Sequence, residues 1–151
     1  MPWIEPITDR NLADVQYANE HRDSPLPLKG ARNYTDMIRI TGNIAYVHDV
    51  LAGFGYNVPP QQSKLTWTIG EIPNAAEIDK IKQDIGALRG IAYVLSTTPA
   101  VPELPYTHYE KINAVEKILF DIKMLIERRE AGFIFSREML SGEVWHFGFS
   151  V

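Results

Sequence analysis

Apolar residues recur at spacings of three and four along three long stretches of the chain, which is the pattern of an α-helix with one buried face. Each stretch predicts a helix of about 20 residues, or roughly 30 Å at 1.5 Å per residue. The apolar positions are Met37, Ile40, Ile44, Val47, Leu51 and Phe54, then Ile78, Ile81, Ile85, Leu88, Ala92 and Leu95, then Ile112, Val115, Leu119, Ile122 and Ile126.

Capping residues mark where these helices begin. An Asn or Thr precedes each stretch with an acid three positions later, which is the spacing of a capping box. The pairs are Asn33 with Asp36, Asn74 with Glu77, and Thr107 with Glu110. Helices of matched length with matching apolar faces pack side by side. The sequence therefore predicts a mainly α fold, an antiparallel three-helix bundle over about residues 33–131, with Gly132 after its last helix.

The segments around the bundle carry weaker patterns. A short helix is predicted from about Asp9 to Asn19, with Leu12, Val15 and Ala18 facing inward. The link after the first long helix is too long for a tight turn, and alternating apolar residues at 65–69 predict a short extended strand there. Three prolines in TTPAVPELPY predict a stiff extended strap before the last helix.

The end of the chain changes to a period of two. FIFSREML and EVWHFGFSV flank Ser141-Gly142, a dipeptide typical of turns, so residues 133–151 are predicted to form a β-hairpin. An isolated hairpin is marginal in water, so this one is expected to lie on the bundle, to pair with the predicted strand at 65–69, or to be covered by another chain. We predict that its apolar face is an interface, formed by Phe133, Phe135, Trp145, Phe147, Phe149 and Val151.

Composition narrows the class of protein. The chain has 151 residues and is predicted to be a single domain over 1–151, with a formal net charge of −4 spread along its length. Without a clustered basic patch, nucleic acid is not the expected partner, and no apolar run is long enough for a membrane span. Cys is absent, which removes disulfides and thiolate chemistry. The N-terminus lacks the features of a signal peptide.

Candidate chemistry is sparse. The motifs HExxH, GxSxG and GxGxxG and the P-loop do not occur, and we predict neither an enzyme nor a metal or cofactor site. Glu138 and Glu143 are a weak candidate acid–base pair, against which stands the ordinary role of charges in keeping a hairpin soluble. Trp3, Trp67 and Trp145 either stack on sugars or fill gaps at the edge of the bundle.

Several motifs in order resemble a small helical module of phages and prophages of Gram-positive bacteria, which is encoded near tail, baseplate or fibre genes. They are TDRNLADV, KGARNYTDMIRITGNIAYVHDVLAGFGY, a Trp-containing link ending in IP, and FSREMLSGEV. Residues 38–41, Ile-Arg-Ile-Thr, depart from the usual Asn-Arg-Ile-Glu, and HRDSPLPL replaces a longer insert. The resemblance implies a structural part of the virion and carries over no catalytic residues.

Together, these observations predict a non-enzymatic assembly module of a phage or prophage tail, associated with the baseplate or fibre. It would form a homo-oligomer, with a trimer as one form, or dock on other tail proteins through the hairpin. Its location would be the virion, after assembly in the bacterial cytoplasm. The alternative is a carbohydrate-binding module that adheres to host cell-wall polymers.

Overall fold

In a computed structural model, four helices form the regular structure of the described residues. The structure describes residues 2–92 and 94–141, with residues 129–141 described by their backbone alone. The helices are α1 (Leu12–Glu20), α2 (Tyr34–Gly53), α3 (Ala75–Ile91) and α4 (Tyr109–Ser141). Within the described residues none of them combines the length and the apolar character needed to cross a membrane.

The starts of α2 and α3 follow the predicted capping boxes. The Asn33 side chain accepts hydrogen bonds from the N–H groups of Thr35 and Asp36, and the Asn74 side chain does the same for Glu77. The cap predicted at Thr107 is one residue too early. Helix α4 begins at Tyr109, and the N–H of Glu110 donates to Nδ1 of His108 at 3.3 Å.

The core lies among α2, α3 and α4, where most of the predicted periodic positions are buried. Trp67 and Tyr106 join it from the links, at 5% and 2% exposed. The prediction is wrong for Phe54 and Leu95, which are 38% and 37% exposed, and Ala92 is only partly buried. The prediction that Leu12 of α1 faces inward is also wrong, because its side chain is 59% exposed. The buried helical residues are Met37, Ile40, Ile44, Val47, Leu51, Ile78, Ile81, Ile85, Leu88, Ile112, Val115, Ile118, Leu119, Ile122 and Ile126.

Helices α2 and α4 run in the same direction. Arg39 on α2 binds Glu116 on α4, 77 positions later. Trp3 contacts Tyr46 on α2 and Lys123 on α4. These two residues are 77 positions apart, which is the same offset as between Arg39 and Glu116. A constant offset means that both helices advance together, so the predicted antiparallel bundle is wrong for this pair.

Helix α3 points the same way, as the link before it shows. The link runs back along α2, and its neighbours on both helices move steadily towards their starts. Along α2, Pro59 lines a pocket together with His48, Gln61 donates to the Thr41 carbonyl, and Gly70 lines a pocket together with Tyr34. Along α3, the N–H of Gln62 donates to Asp84, and Lys64 pairs with Glu77.

The link between α3 and α4 also runs back along the two helices that it joins. Thr98 lies beside Arg89 and Asp121, and Glu103 lies beside Lys82 and Lys111. The three long helices are therefore parallel. Extended segments 2–10, 57–73 and 94–108 run in the opposite direction, one in each groove between two helices. We call the end where α2, α3 and α4 begin the base.

The links are long because the helices are parallel, so that the chain must return along a helix before the next one begins. A helix of 20 residues is about 30 Å long, and an extended chain covers at most about 3.6 Å per residue, so a return needs about nine residues. The segments between the helices are longer than that. The strand predicted at 65–69 is wrong: residues 65–69 form no strand, and their alternation reflects a buried Trp67 between Leu65 and Ile69, which are 40% and 81% exposed.

Helix α4 continues past the end of the bundle opposite the base. With the offset of 77, Gly53 at the end of α2 is level with position 130, so residues 131–141 extend about 16 Å further. We call residues 131–141 the α4 extension.

The predicted C-terminal β-hairpin is wrong, because its first half, residues 133–140, lies in the α4 extension and no strand occurs among the described residues. Gly132 does not end the helix. One internal glycine costs about 1 kcal/mol, and adding residues to a formed helix is favourable, especially for Arg137, Glu138, Met139 and Leu140.

Candidate functional site

The N-terminal segment, residues 2–10, is held in the groove between α2 and α4 by two asparagine side chains. Asn43 accepts from the N–H of Ile4 at 2.9 Å and donates to its carbonyl at 2.7 Å. Asn113 accepts from the N–H of Arg10 at 3.2 Å and donates to its carbonyl at 2.9 Å. Each amide thus satisfies one residue's backbone donor and acceptor, as a neighbouring strand would.

A buried network of two arginines and two carboxylates lies nearer the base of the same groove. Arg39 donates from Nε to Glu116 Oε1 at 2.5 Å and from Nη2 to Asp36 Oδ1 at 2.6 Å. Arg10 Nη2 lies 2.7 Å from Glu116 Oε2 and 3.2 Å from Asp36 Oδ1. None of the four residues is more than 7% exposed. The network joins the N-terminal segment, α2 and α4.

The charges of this network balance. Burial by itself would lower the pKa of Arg39, but the hydrogen bonds and charges of Glu116 and Asp36 outweigh it and raise that pKa. Glu116 also accepts from the N–H of Ile7 at 3.2 Å. Its carboxylate is therefore enclosed by donors of the chain itself, and the arrangement fixes a segment rather than presenting an acid or base to a substrate.

Buried carboxylates also bind the other two extended segments. Asp84 on α3 accepts from the N–H groups of Gln62 and Ser63 at 2.8 and 2.9 Å and from Ser63 Oγ at 2.6 Å. Asp121 on α4 accepts from Thr98 Oγ1 at 2.7 Å and pairs with Lys117 at 2.6 Å. Each groove thus holds its extended segment through a helix carboxylate.

A pocket of about 230 Å³ lies at the base between α1 and the start of α4. Its cations are engaged within the chain. Arg10 belongs to the buried network, Lys29 lies 3.0 Å from Asp9, and Arg32 donates to the carbonyl of Tyr106. These charges therefore serve the fold of the base.

Gly30 forms the wall between this pocket and the next. A Cβ at Gly30 would lie 2.1 Å from the carbonyl oxygen of Asp14 in α1. Only glycine allows the turn and α1 to approach so closely. Asp9, Arg10, Lys29, Gly30 and Asn33 all lie at this end of the bundle.

A second pocket, of about 420 Å³, lies on the other side of Gly30. Its apolar lining includes Pro25, Leu26 and Pro27 from the segment after α1 and Ile69 from the link before α3. Leu26 is 72% exposed and Ile69 is 81% exposed, and nearby in the chain Ile72 is 82% exposed. We call Pro25, Leu26, Pro27 and Ile69, which are apolar residues lining this pocket, the basal patch. Exposed apolar residues grouped in this way are typical of contact surfaces.

Of the residues of the predicted interface, Phe133 and Phe135 lie in the α4 extension. The other four, Trp145, Phe147, Phe149 and Val151, lie outside the described residues. Of the candidate acid pair, Glu138 lies in the α4 extension and Glu143 lies outside the described residues.

Two of the three tryptophans have structural contacts. Trp67 is buried, and its Nε1–H donates to the Lys64 carbonyl at 3.1 Å and to Thr41 Oγ1 at 3.3 Å. Its ring is therefore closed to a sugar. Trp3 packs against Tyr46, with ring centroids 5.5 Å apart, and lies under the ammonium of Lys123. The third, Trp145, lies outside the described residues.

The histidines of the described residues are separate from one another. His21 stacks on Tyr17, His48 lies beside Asp49, and His108 is at the start of α4. Across the residues that the structure describes, no group of three or more His, Cys, Asp or Glu side chains is placed to hold a metal ion.

Sequence reasoning missed the residues that hold the extended segments. Arg39, Asn43 and Glu116 stand among apolar residues at helical spacing, and a polar residue in such a position must find a partner. That signal was present, although it does not say which residues pair.

No family model matches the chain, and neither a curated protein nor a solved structure matches it.

Proposed function

We propose that the protein is a non-catalytic assembly module of a phage or prophage tail, which associates with copies of itself through the C-terminal part of the chain. The tail context rests on the family resemblance of the base motifs. The association rests on one observation, the α4 extension.

The α4 extension supports association because it leaves the helices that α4 packs against. Residues 131–141 lie beyond the level of the end of α2. An isolated helix of this length is marginal in water, and most helix stability in proteins comes from packing. The sequence there contains Phe133, Ile134, Phe135, Met139 and Leu140. A partner chain would supply the packing that the bundle does not.

The buried polar groups support a non-catalytic role. Asp36, Asp84, Glu116 and Asp121 are each at most 5% exposed and each binds groups of the chain itself. General acid or base catalysis needs a group within hydrogen-bond reach of the substrate. These carboxylates are instead used to hold the extended segments in their grooves.

The direct test compares the full chain with a chain ending at residue 130. We expect the full chain to be oligomeric by light scattering coupled to size exclusion. The shortened chain should be monomeric and keep its helical circular dichroism. A monomeric full chain at about 100 µM, where an association of micromolar Kd is nearly complete, would contradict the proposal.

A full-length variant guards against misfolding of the shortened chain. The double substitution Phe133→Gln and Phe135→Gln should weaken association at least tenfold, while the matched control Arg137→Gln should leave it within twofold. The tail context has its own test. Antibody to the protein should label tails of purified particles in electron micrographs, and labelling of heads alone would contradict it.

A further inference from the structure

We infer that residues 142–151 of one copy dock on the basal patch of a second copy, so that copies join head to tail. This inference rests on the proposed function and specifies its contact surface. It depends on three observations: an exposed apolar patch at the base, the length of α4, and the sequence of residues 142–151.

The basal patch has the shape of a receptor site. Its pocket of about 420 Å³ falls within the range of about 300–1,000 Å³ that is usual for binding pockets. Leu26 and Ile69 line it and are more than two thirds exposed. No described residue covers them, and burying apolar side chains of this size against a second copy favours association.

Residues 142–151 have matching chemistry. Half of these ten residues are large and apolar: Val144, Trp145, Phe147, Phe149 and Val151. Glu143 is the acid among them, and Arg22 lines the rim of the pocket. Arg22 forms no ion pair with a described residue, so a carboxylate from another copy finds an unpaired cation there.

The length of α4 prevents contact within one copy. Tyr34 lines the pocket and, with the offset of 77, is level with position 111 of α4. Ser141 therefore lies about 45 Å further along the helix axis. Ten residues span at most about 36 Å when fully extended. Residues 142–151 can thus reach the base of another copy but not their own.

Such a contact is heterologous, since two different surfaces meet. Contacts of this kind form closed rings when the rotation between copies closes, and filaments when it does not. The inference therefore specifies which two surfaces meet in the proposed assembly.

Complementation between two variants tests the inference. One variant carries Leu26→Asp and Ile69→Asp, and the other ends at Ser141. Each has lost one of the two docking surfaces, so each alone should associate at least tenfold more weakly than the full chain by light scattering. An equal mixture should form heterodimers, because the first variant keeps residues 142–151 and the second keeps the patch.

The control is Leu12→Asp, which changes an exposed apolar residue in the other pocket and should leave association within twofold. Self-association of the patch variant at wild-type strength, or a monomeric mixture, would overturn the inference. Both results leave the proposed function standing if the full chain is oligomeric. A monomeric full chain would overturn both.

A milder pair of variants covers the case in which the patch variant fails to fold. Arg22→Glu should weaken association at least threefold, and adding Glu143→Arg to the same chain should restore it. Association unchanged by Arg22→Glu, or not restored by the second substitution, would contradict docking at the basal patch.

Discussion

At the scale of single residues, Glu116 is the carboxylate that joins both arginines of the buried network near the base. It binds both Arg10 and Arg39 and is 0% exposed. Glu116→Gln leaves two guanidinium groups with one buried carboxylate, and breaking a buried pair costs about 3–5 kcal/mol. We expect the free energy of unfolding to fall by about 3 kcal/mol in urea titrations. Glu127→Gln, in an exposed pair with Lys123, should change it by less than about 1 kcal/mol. Equal losses would contradict this account.

Tyr106 should make the free energy of unfolding depend on pH in the alkaline range. Burial, followed by the nearby charges of Glu103 and Asp79, raises the pKa of Tyr106 to about 12. An unfolded tyrosine has a pKa of about 10, so between about pH 10 and 12 the unfolded chain binds fewer protons than the folded one. The contribution of Tyr106 to the free energy of unfolding is therefore fully present below about pH 10. It falls by about 2 kcal/mol as the pH rises to about 12.

The measurement is a series of urea titrations between about pH 9 and 12. Tyr106→Phe should remove this part of the pH dependence, whereas Tyr17→Phe, at a residue that is 54% exposed, should retain it. The same slope in both variants would show that Tyr106 is not the responsible group.

Which residues are polar inside the core could be read from the sequence, but their partners could not. Helical spacing places Arg39 and Glu116 beside buried apolar positions. Their pairing depends on α2 and α4 lying in parallel with a fixed offset, which is a property of the fold. The same holds for Asn43, whose partner Ile4 lies 39 positions away in an extended segment.

At the scale of elements, Gly30 decides whether α1 can lie against the turn that precedes α2. Gly30→Ala would place a methyl group 2.1 Å from the Asp14 carbonyl, so the backbone must move. We expect the free energy of unfolding to fall by about 2 kcal/mol or more, within the range for strained backbone sites. Gly86→Ala is the matched control. Its Cβ meets nothing within 4 Å inside α3, so stability should rise by about 0.5–1 kcal/mol.

Thermal and urea unfolding of both glycine variants check this expectation together. Equal changes in stability would show that the contact between Gly30 and α1 is not tight in solution.

Helix starts were predicted better than helix ends because capping leaves a local signature. Asn33 and Asn74 each accept from the backbone three positions on, and these contacts need no knowledge of the rest of the fold. Residues 133–140 carry no such signature. Their aromatic residues fit a strand and their Arg, Glu, Met and Leu fit a helix, and continuation of α4 decides between the two.

At the scale of the whole molecule, the direction of the helices could not be obtained from their apolar faces. A helix buries the same face whichever way it points, so periodicity predicts three packed helices and leaves their directions open. The length of the links held the relevant signal, since antiparallel neighbours need only short loops. Links long enough to return along a 30 Å helix favour parallel neighbours, and the buried Asp84 and Asp121 hold them in place.

Distances between spin labels test the parallel arrangement directly, and the absence of Cys makes specific labelling simple. Exposed positions Ala76 at the start of α3, Glu110 at the start of α4 and Arg128 further along α4 suit this purpose. Neighbouring helices lie about 8–10 Å apart, and positions 110 and 128 are separated by about 27 Å along the axis. Electron spin resonance should therefore give a clearly shorter distance for Ala76→Cys with Glu110→Cys than for Ala76→Cys with Arg128→Cys. In an antiparallel bundle the order of the two distances would be reversed, and the account of the grooves and their buried carboxylates would fail with it.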